Sequence, residues 1–138
     1  MILIDTGPLV ALIDPSDSYH TECLETYRSL GREVMLTTWL CFTEAMHLLG
    51  RSGGHRLQDN LWDMRRAGRL QIHSMTNSEA DRMAELMRRY RDTPMDVADS
   101  SLVALAESRS IHRVFTLDED FYFYRLAEGT VLEVVQLS

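Results

Sequence analysis

Residues 1–14 read Met1-Ile-Leu-Ile-Asp-Thr-Gly-Pro-Leu-Val-Ala-Leu-Ile-Asp14, and this stretch decides the fold class. The apolar run 1–4 predicts a short buried strand that ends at Asp5. Gly7 and Pro8 then mark a turn into a helix, because proline is tolerated in a first helical turn. A buried strand followed at once by a helix is typical of an α/β sheet.

The rest of the chain repeats this alternation of strands and helices. Gly50 is expected to end one helix, and Ser78 with Asp81 resembles the cap of another. The alternation predicts three α/β/α layers around a mostly parallel sheet of about five strands. Further strands are predicted at 33–37, 70–73, 113–116 and 131–137, and further helices at 19–30, 39–49, 55–67, 78–90 and 97–107.

Length and composition are those of one globular domain, predicted to span 1–138, with 45% hydrophobic and 25% charged residues. The net charge of -7 argues against a protein that only wraps nucleic acid, but not against an acidic metal site that meets one phosphate at a time. All 14 basic residues are arginine. The absence of lysine excludes Walker A and Schiff-base chemistry, and makes a phosphatase or receiver domain with a nucleophilic aspartate a poor fit.

Cysteine usage and the first residues suggest a cytoplasmic protein with no membrane segment. Cys23 and Cys41 are isolated, so reduced thiols are expected, although a single disulfide stays open at this point. The apolar start carries Asp5 and no basic segment, so we expect neither a signal peptide nor a span long enough for a bilayer.

Two acids follow predicted strands directly, namely Asp5 after 1–4 and Asp118 after 113–116. Ligands of parallel sheets bind beyond the carboxyl ends of the strands, so both acids lie where this architecture places chemistry. A helix cap is the alternative for Asp5 and for Asp118. For Asp120 the cap of the short helix that follows is the preferred interpretation.

Glu44 lies in the apolar helix 39–49, where burial of its charge would be costly without a partner or a metal. The alternative is a narrow polar stripe of Thr43, Glu44 and His47. His47 lies one helical turn from Glu44 and is the one histidine to consider as a general base.

Asp96 and Asp99 are three residues apart and share one face near the start of the helix 97–107. Asp96 suits the helix cap. Asp99 opens the apolar run and is expected to point toward other elements of the fold.

The four acids Asp5, Glu44, Asp99 and Asp118 carry the functional hypothesis as a set. Clustered carboxylates raise one another's pKa values, and a hard divalent cation such as Mg²⁺ or Mn²⁺ relieves this repulsion. Such an ion can activate a phosphodiester for hydrolysis. Supporting roles beside the acids, in orienting water or phosphate oxygens, are predicted for Thr6 and Thr116.

Four motifs of the chain, taken in sequence order, resemble those of the PIN-domain nucleases, and among them the toxin ribonucleases of VapBC-type toxin–antitoxin pairs. The resemblance implies an RNA phosphodiester substrate, Mg²⁺ or Mn²⁺, a homodimer, and a small antitoxin that blocks the site. It implies that Asp5, Glu44 and Asp99 are the core acids, with Asp118 as the fourth and Asp96 as an assisting acid. The matching pieces are Ile4-Asp5-Thr6, Glu44, the segment 99–106, and Thr116-Leu-Asp-Glu-Asp-Phe121.

The absence of lysine departs from this family, so arginine is expected to contact RNA. The segment 51–69 is the most basic long stretch and is the candidate for RNA or partner contact, with a solvated helix face as the alternative. Its candidate contact residues are Arg51, Arg56, Arg65 and Arg66. Two other functions stay open, namely a PIN-like RNA-processing nuclease without an antitoxin and a degenerate PIN module that only binds RNA or protein.

Overall fold

The computed structural model describes residues 1–138 and contains one sheet of five strands. The strand order is β3-β2-β1-β4-β5, and every neighbouring pair is parallel, which confirms the predicted sheet. The strands are β1 (Ile2–Ile4), β2 (Met35–Thr38), β3 (Leu70–His73), β4 (Arg113–Phe115) and β5 (Glu133–Val134). The helices are α1 (Thr6–Ile13), α2 (His20–Ser29), α3 (Trp39–Arg66), α4 (Asn77–Arg89), α5 (Val97–Arg109) and a 3-10 turn at Glu119–Tyr122.

Strand β1 is the centre of the sheet and of the core. Ile2, Leu3 and Ile4 are all fully buried, because β1 lies between β2 and β4 and helices cover both faces. Successive side chains of a strand point to opposite faces. Leu3 accordingly belongs to one hydrophobic cluster, while Ile2 and Ile4 belong to the other. The apolar run at 1–4 therefore supplies both faces of a three-layer fold.

The two helices predicted at 39–49 and 55–67 are confirmed, because α3 consists of two helical segments that meet at a non-helical residue, Gly54, although the first segment continues past its predicted end. Gly50 stays helical, and the kink is at Gly54, whose φ of 69° and ψ of -155° suit glycine alone. Ser52, just before the kink, donates its hydroxyl to Asp14 Oδ2 at 2.5 Å. The buried Asp14 thus ties the kink to the end of α1.

Other boundaries also differ from the sequence prediction. Helix α4 begins with a capping box of Thr76 and Glu79 rather than with Ser78 and Asp81, because the Thr76 hydroxyl accepts from the Glu79 amide. The last strand is only Glu133–Val134, much shorter than 131–137.

Both cysteines are free and buried, so the structure contains no disulfide. None of the helices combines the length and the apolar character needed to cross a bilayer.

We expect Gly54→Ala to destabilise the protein by about 1–3 kcal/mol, because a side chain at this φ and ψ is strained. Denaturant unfolding would measure the change. Arg56→Ala is the matched control on the exposed surface of the same helix. An equal effect of the two substitutions would mean that the kink does not depend on glycine.

Candidate active site

Asp5 and Thr116 lie side by side because of the strand register. Leu3 pairs with Val114 and Ile4 with Phe115, so the next residue of each chain segment emerges at the same sheet edge. The Thr116 hydroxyl donates to Asp5 Oδ2 at 2.8 Å, and the Thr6 amide donates to Asp5 Oδ1 at 2.8 Å. Asp5 therefore caps α1 and also presents a fixed carboxylate at the carboxyl end of β1.

Asp99 is held at the start of α5 by a capping box with Asp96. The Asp99 amide donates to Asp96 Oδ1 at 2.7 Å, and the Asp96 amide donates to Asp99 Oδ2 at 3.4 Å. Asp96 is exposed, whereas Asp99 is buried. The cap predicted for Asp96 is confirmed, and the Asp99 side chain is turned inward.

Asp118 is placed by the loop that leaves β4. Its amide donates to the Thr116 hydroxyl at 3.0 Å, and its Oδ1 accepts from the Asp120 amide at 2.9 Å. Asp118 is thus the cap of the 3-10 turn, and the prediction that Asp120 is the cap was wrong. The same side chain also lines an open pocket at the carboxyl edge of the sheet, which it shares with Asp5, Glu44 and Asp99 and which is called the acidic pocket below.

Glu44 is exposed, so the argument from its burial was wrong. Thr43 and His47 are exposed beside it, which matches the polar stripe that was the alternative. The stripe divides between two depressions. Glu44 borders the acidic pocket, whereas His47 borders a neighbouring apolar one with Trp39 and Trp62. His47 therefore does not line the pocket that contains the acids.

The four acids predicted from the sequence line one open pocket of about 330 Å³ at the carboxyl edge of the sheet. The pocket is contributed by the ends of β1 and β4, the start of α5 and one face of α3. Its lining residues are Asp5, Thr6, Gly7, Glu44, Leu48, Asp99, Leu117 and Asp118.

Burial and mutual repulsion make this pocket electrostatically unfavourable for carboxylates. Burial, together with the charges of Asp96, Asp5 and Asp118, raises the pKa of Asp99 to about 8. Burial also raises the pKa of Asp5 to about 6, against the opposing hydrogen bonds from Thr116 and the Thr6 amide. A cation in the pocket would restore the charged form of both groups.

The chemistry of these donors fits a hard divalent cation. The pocket offers carboxylate oxygens from four residues, which are the ligands that Mg²⁺ and Mn²⁺ prefer. In their present positions no three carboxylate, imidazole or thiol side chains converge closely enough to hold one ion. Several of the carboxylate oxygens accept internal hydrogen bonds instead, as at Asp5 and Asp118.

Of the four predicted supporting residues, Thr6 lines the pocket and the other three do not. The Thr6 hydroxyl donates to the Cys41 carbonyl at 3.4 Å, so Thr6 contributes its backbone amide to Asp5 rather than its hydroxyl. Asp120 and Asp96 do not line the pocket. Thr116 remains the one hydroxyl that donates to a pocket acid from the strand ends.

The four candidate arginines do not line the acidic pocket either. Arg51 and Arg56 are exposed on either side of the α3 kink. Arg65 and Arg66 border a separate surface depression with Trp39, and Arg66 also pairs with Asp63. Their predicted contact with RNA stays a prediction.

Tyr124 is a site residue that sequence reasoning missed. Its ring is buried against Tyr90 and Phe121, at centroid distances of 5.1 and 5.2 Å, and its hydroxyl donates to Asp99 Oδ2 at 3.4 Å. No motif links this tyrosine to an aspartate 25 residues earlier. Only packing of the segment after the 3-10 turn on α5 reveals the contact.

We expect Asp99→Asn to stabilise the metal-free protein near pH 8 by at least about 1 kcal/mol, the equivalent of roughly one pKa unit. At a pH below the ordinary value of 3.8, Asp99 is protonated in both the folded and unfolded states. As the pH rises toward about 8, only the unfolded chain gains from ionisation, so the folded state loses stability.

Thermal unfolding in EDTA at pH 4 and at pH 8 would measure this difference. The advantage of Asp99→Asn should appear at pH 8 and be much smaller at pH 4. The exposed Asp81→Asn on α4 serves as the control and should show neither effect. The same small difference at both pH values would contradict a raised pKa at Asp99.

Comparison with known proteins identifies the fold. A family model described as the PIN domain matches residues 2–129. VapC20 of Mycobacterium tuberculosis, described as a toxin that cleaves the sarcin–ricin loop, superposes with a TM-score of 0.82 at 22% identity, over 89% of this chain and 94% of that one. No curated protein sequence matches the chain significantly.

Two further solved structures share the fold. VapBC2 from Rickettsia felis, bound to a DNA fragment from their promoter, has a TM-score of 0.70 at 13% identity over 100% of both chains. FitAcB from Neisseria gonorrhoeae has a TM-score of 0.67 at 21% identity, over 99% of this chain and 97% of that one. At these identities the similarity is one of architecture.

Proposed function

The chain belongs to the PIN-domain family, and we propose on that basis that it is a metal-dependent endoribonuclease of the VapC toxin type. The observation that carries the proposal is the single open pocket lined by Asp5, Glu44, Asp99 and Asp118. A module that only binds RNA or protein gains nothing from burying acids whose pKa values are raised to about 6 and 8.

In the proposed mechanism, Asp5, Asp99 and Asp118 would hold one or two Mg²⁺ or Mn²⁺ ions. When bound, such an ion polarises the phosphodiester and lowers the pKa of a water molecule. Thr116 and the Thr6 amide fix the orientation of the Asp5 carboxylate. Glu44, which is exposed at the rim, either joins the metal ligands or orients the attacking water and accepts its proton.

The proposed partners follow from the same family. The structural neighbours include VapBC2, bound to a DNA fragment from their promoter, and VapC20, a toxin that cleaves the sarcin–ricin loop. We therefore propose an antitoxin that covers the acidic pocket, an RNA substrate and a homodimer. The exposed Arg51 and Arg56 of α3 are candidates for holding the phosphate backbone outside the pocket.

We expect Asp5→Asn to reduce RNA cleavage by on the order of 100-fold or more, since metal catalysis contributes several kcal/mol to the transition state. The assay uses purified protein with structured and single-stranded RNA, in Mg²⁺, in Mn²⁺ and in EDTA. Asp81→Asn, on the exposed face of α4, is the matched control and should retain activity. Full activity of Asp5→Asn, or undiminished cleavage in EDTA, would refute the mechanism.

Tyr124→Phe should raise the Mn²⁺ concentration needed for half-maximal cleavage by about 10-fold, because groups that orient metal ligands contribute to affinity on that scale. The substitution removes the hydroxyl that donates to Asp99 and preserves the ring packing. Tyr90→Phe is the matched control, since that hydroxyl accepts from the Arg125 amide instead. Equal Mn²⁺ dependence of the two variants would exclude a positioning role for Tyr124.

A further inference from the structure

A second cleft, of about 320 Å³, adjoins the acidic pocket on the other side of Leu117. Leu117 and Asp118 line both depressions, and Leu117 packs close to Gly7, where an added Cβ would lie 3.4 Å from its side chain. The cleft thus lies next to the proposed reaction site, with Leu117 between the two. Its other walls come from Tyr19, the 3-10 turn and the chain end at 134–137.

Two solvent-exposed aromatic rings face this cleft. Tyr19 is 47% exposed and Tyr122 is 50% exposed, although both are large side chains that are partly apolar. The Gln136 amide donates to the Tyr122 hydroxyl at 3.4 Å, which links the ring to the chain end beyond β5. Exposed aromatic rings beside a nucleic-acid path are the usual platforms on which single-stranded bases stack.

The negative charge of the cleft favours binding of the base of a nucleotide over binding of its phosphate. Its lining contains the carboxylates of Asp118 and Glu119 and no arginine. A phosphate group would be repelled, whereas an uncharged base would not. The Glu119 carboxylate and the side-chain oxygen of Gln136 also offer hydrogen-bond acceptors at the edge of the cleft for the amino or imino groups of a base.

We propose that this cleft between Tyr19 and Tyr122 binds the base of a nucleotide next to the cleaved phosphate, by stacking on the Tyr122 ring. The proposal rests on the proposed ribonuclease function, and it narrows the substrate class. A base must leave its helical stack to enter the cleft, so an unpaired base enters at a lower energetic cost than a paired one.

The test uses a short single-stranded oligoribonucleotide that contains the fluorescent base 2-aminopurine, whose emission falls when it stacks. Binding is followed with the full chain carrying Asp5→Asn, in Mg²⁺, so that binding is observed without turnover. Adding Tyr122→Leu should weaken binding by about 5- to 100-fold and abolish the quenching, given the measured scale of base–aromatic stacking. Tyr122→Trp should restore both.

The matched control is Phe123→Leu, because Phe123 is 66% exposed next to Tyr122 but does not line the cleft. It should leave binding and quenching unchanged. In otherwise wild-type protein, Tyr122→Leu should raise KM for single-stranded RNA more than it lowers kcat, and should affect fully paired RNA less. Thermal unfolding of each variant separates loss of binding from loss of fold.

The outcomes separate this proposal from the proposed function. Cleavage by the wild type with no effect of Tyr122→Leu on KM or quenching overturns the base site, and would leave the cleft as a surface for a protein partner. Quenching that requires Tyr122, in a protein that never cleaves RNA, supports the base site and refutes the nuclease. Equal effects of Phe123→Leu and Tyr122→Leu would also overturn the proposed base site, because the loss of binding would not be specific to the cleft.

Discussion

The structure depends on the parallel pairing of β1 between β2 and β4. This pairing buries Ile2, Leu3 and Ile4 completely and makes both faces of the sheet apolar. The same pairing also sets the residues at which the chain leaves the sheet. Because β1 and β4 end in register, Asp5 and Thr116 emerge together, and their 2.8 Å hydrogen bond joins residues 111 positions apart.

The acidic pocket lowers the stability of the metal-free protein. Burial and repulsion raise the pKa values of Asp5 and Asp99, so the metal-free protein loses stability as the pH rises and the unfolded chain gains more from ionisation. The surrounding residues keep the acids in place despite this, through the Thr6 amide, the Thr116 hydroxyl and the Asp96 cap. Stability sacrificed at a preorganised site is a common feature of catalytic centres.

The acids and the exposed tyrosines line depressions that contain none of the arginines of α3. The acids and the two exposed tyrosines lie at the carboxyl edge of the sheet, where an uncharged base and a metal-bound phosphate would fit. The arginines of α3 lie outside the pocket, with Arg51 and Arg56 exposed. A net charge of -7 is therefore compatible with RNA as substrate, provided that cations and stacking rather than a broad basic surface contribute the affinity.

The sequence by itself determined the α/β architecture and the identity of the four acids that share the pocket. Buried strands and amphipathic helices leave periodic patterns, and acids directly after strands mark the functional edge of a parallel sheet. The residues at which helices begin and end were less predictable. The residues around Gly50 and Gly54 offer two possible helix ends, and only contacts such as that of Ser52 with Asp14 distinguish them.

Tertiary structure alone decided the environment of each site residue. Glu44 lies among apolar neighbours in the sequence but is exposed, because one face of α3 borders the open pocket. Asp118 caps the 3-10 turn in place of Asp120, since the direction of the chain after β4 sets which amide faces which carboxylate. Tyr124 reaches Asp99, and Tyr19 faces the same cleft as Tyr122, across separations that no local pattern encodes. Local patterns report the period and polarity of an element, whereas burial and pairing depend on which distant elements pack against it.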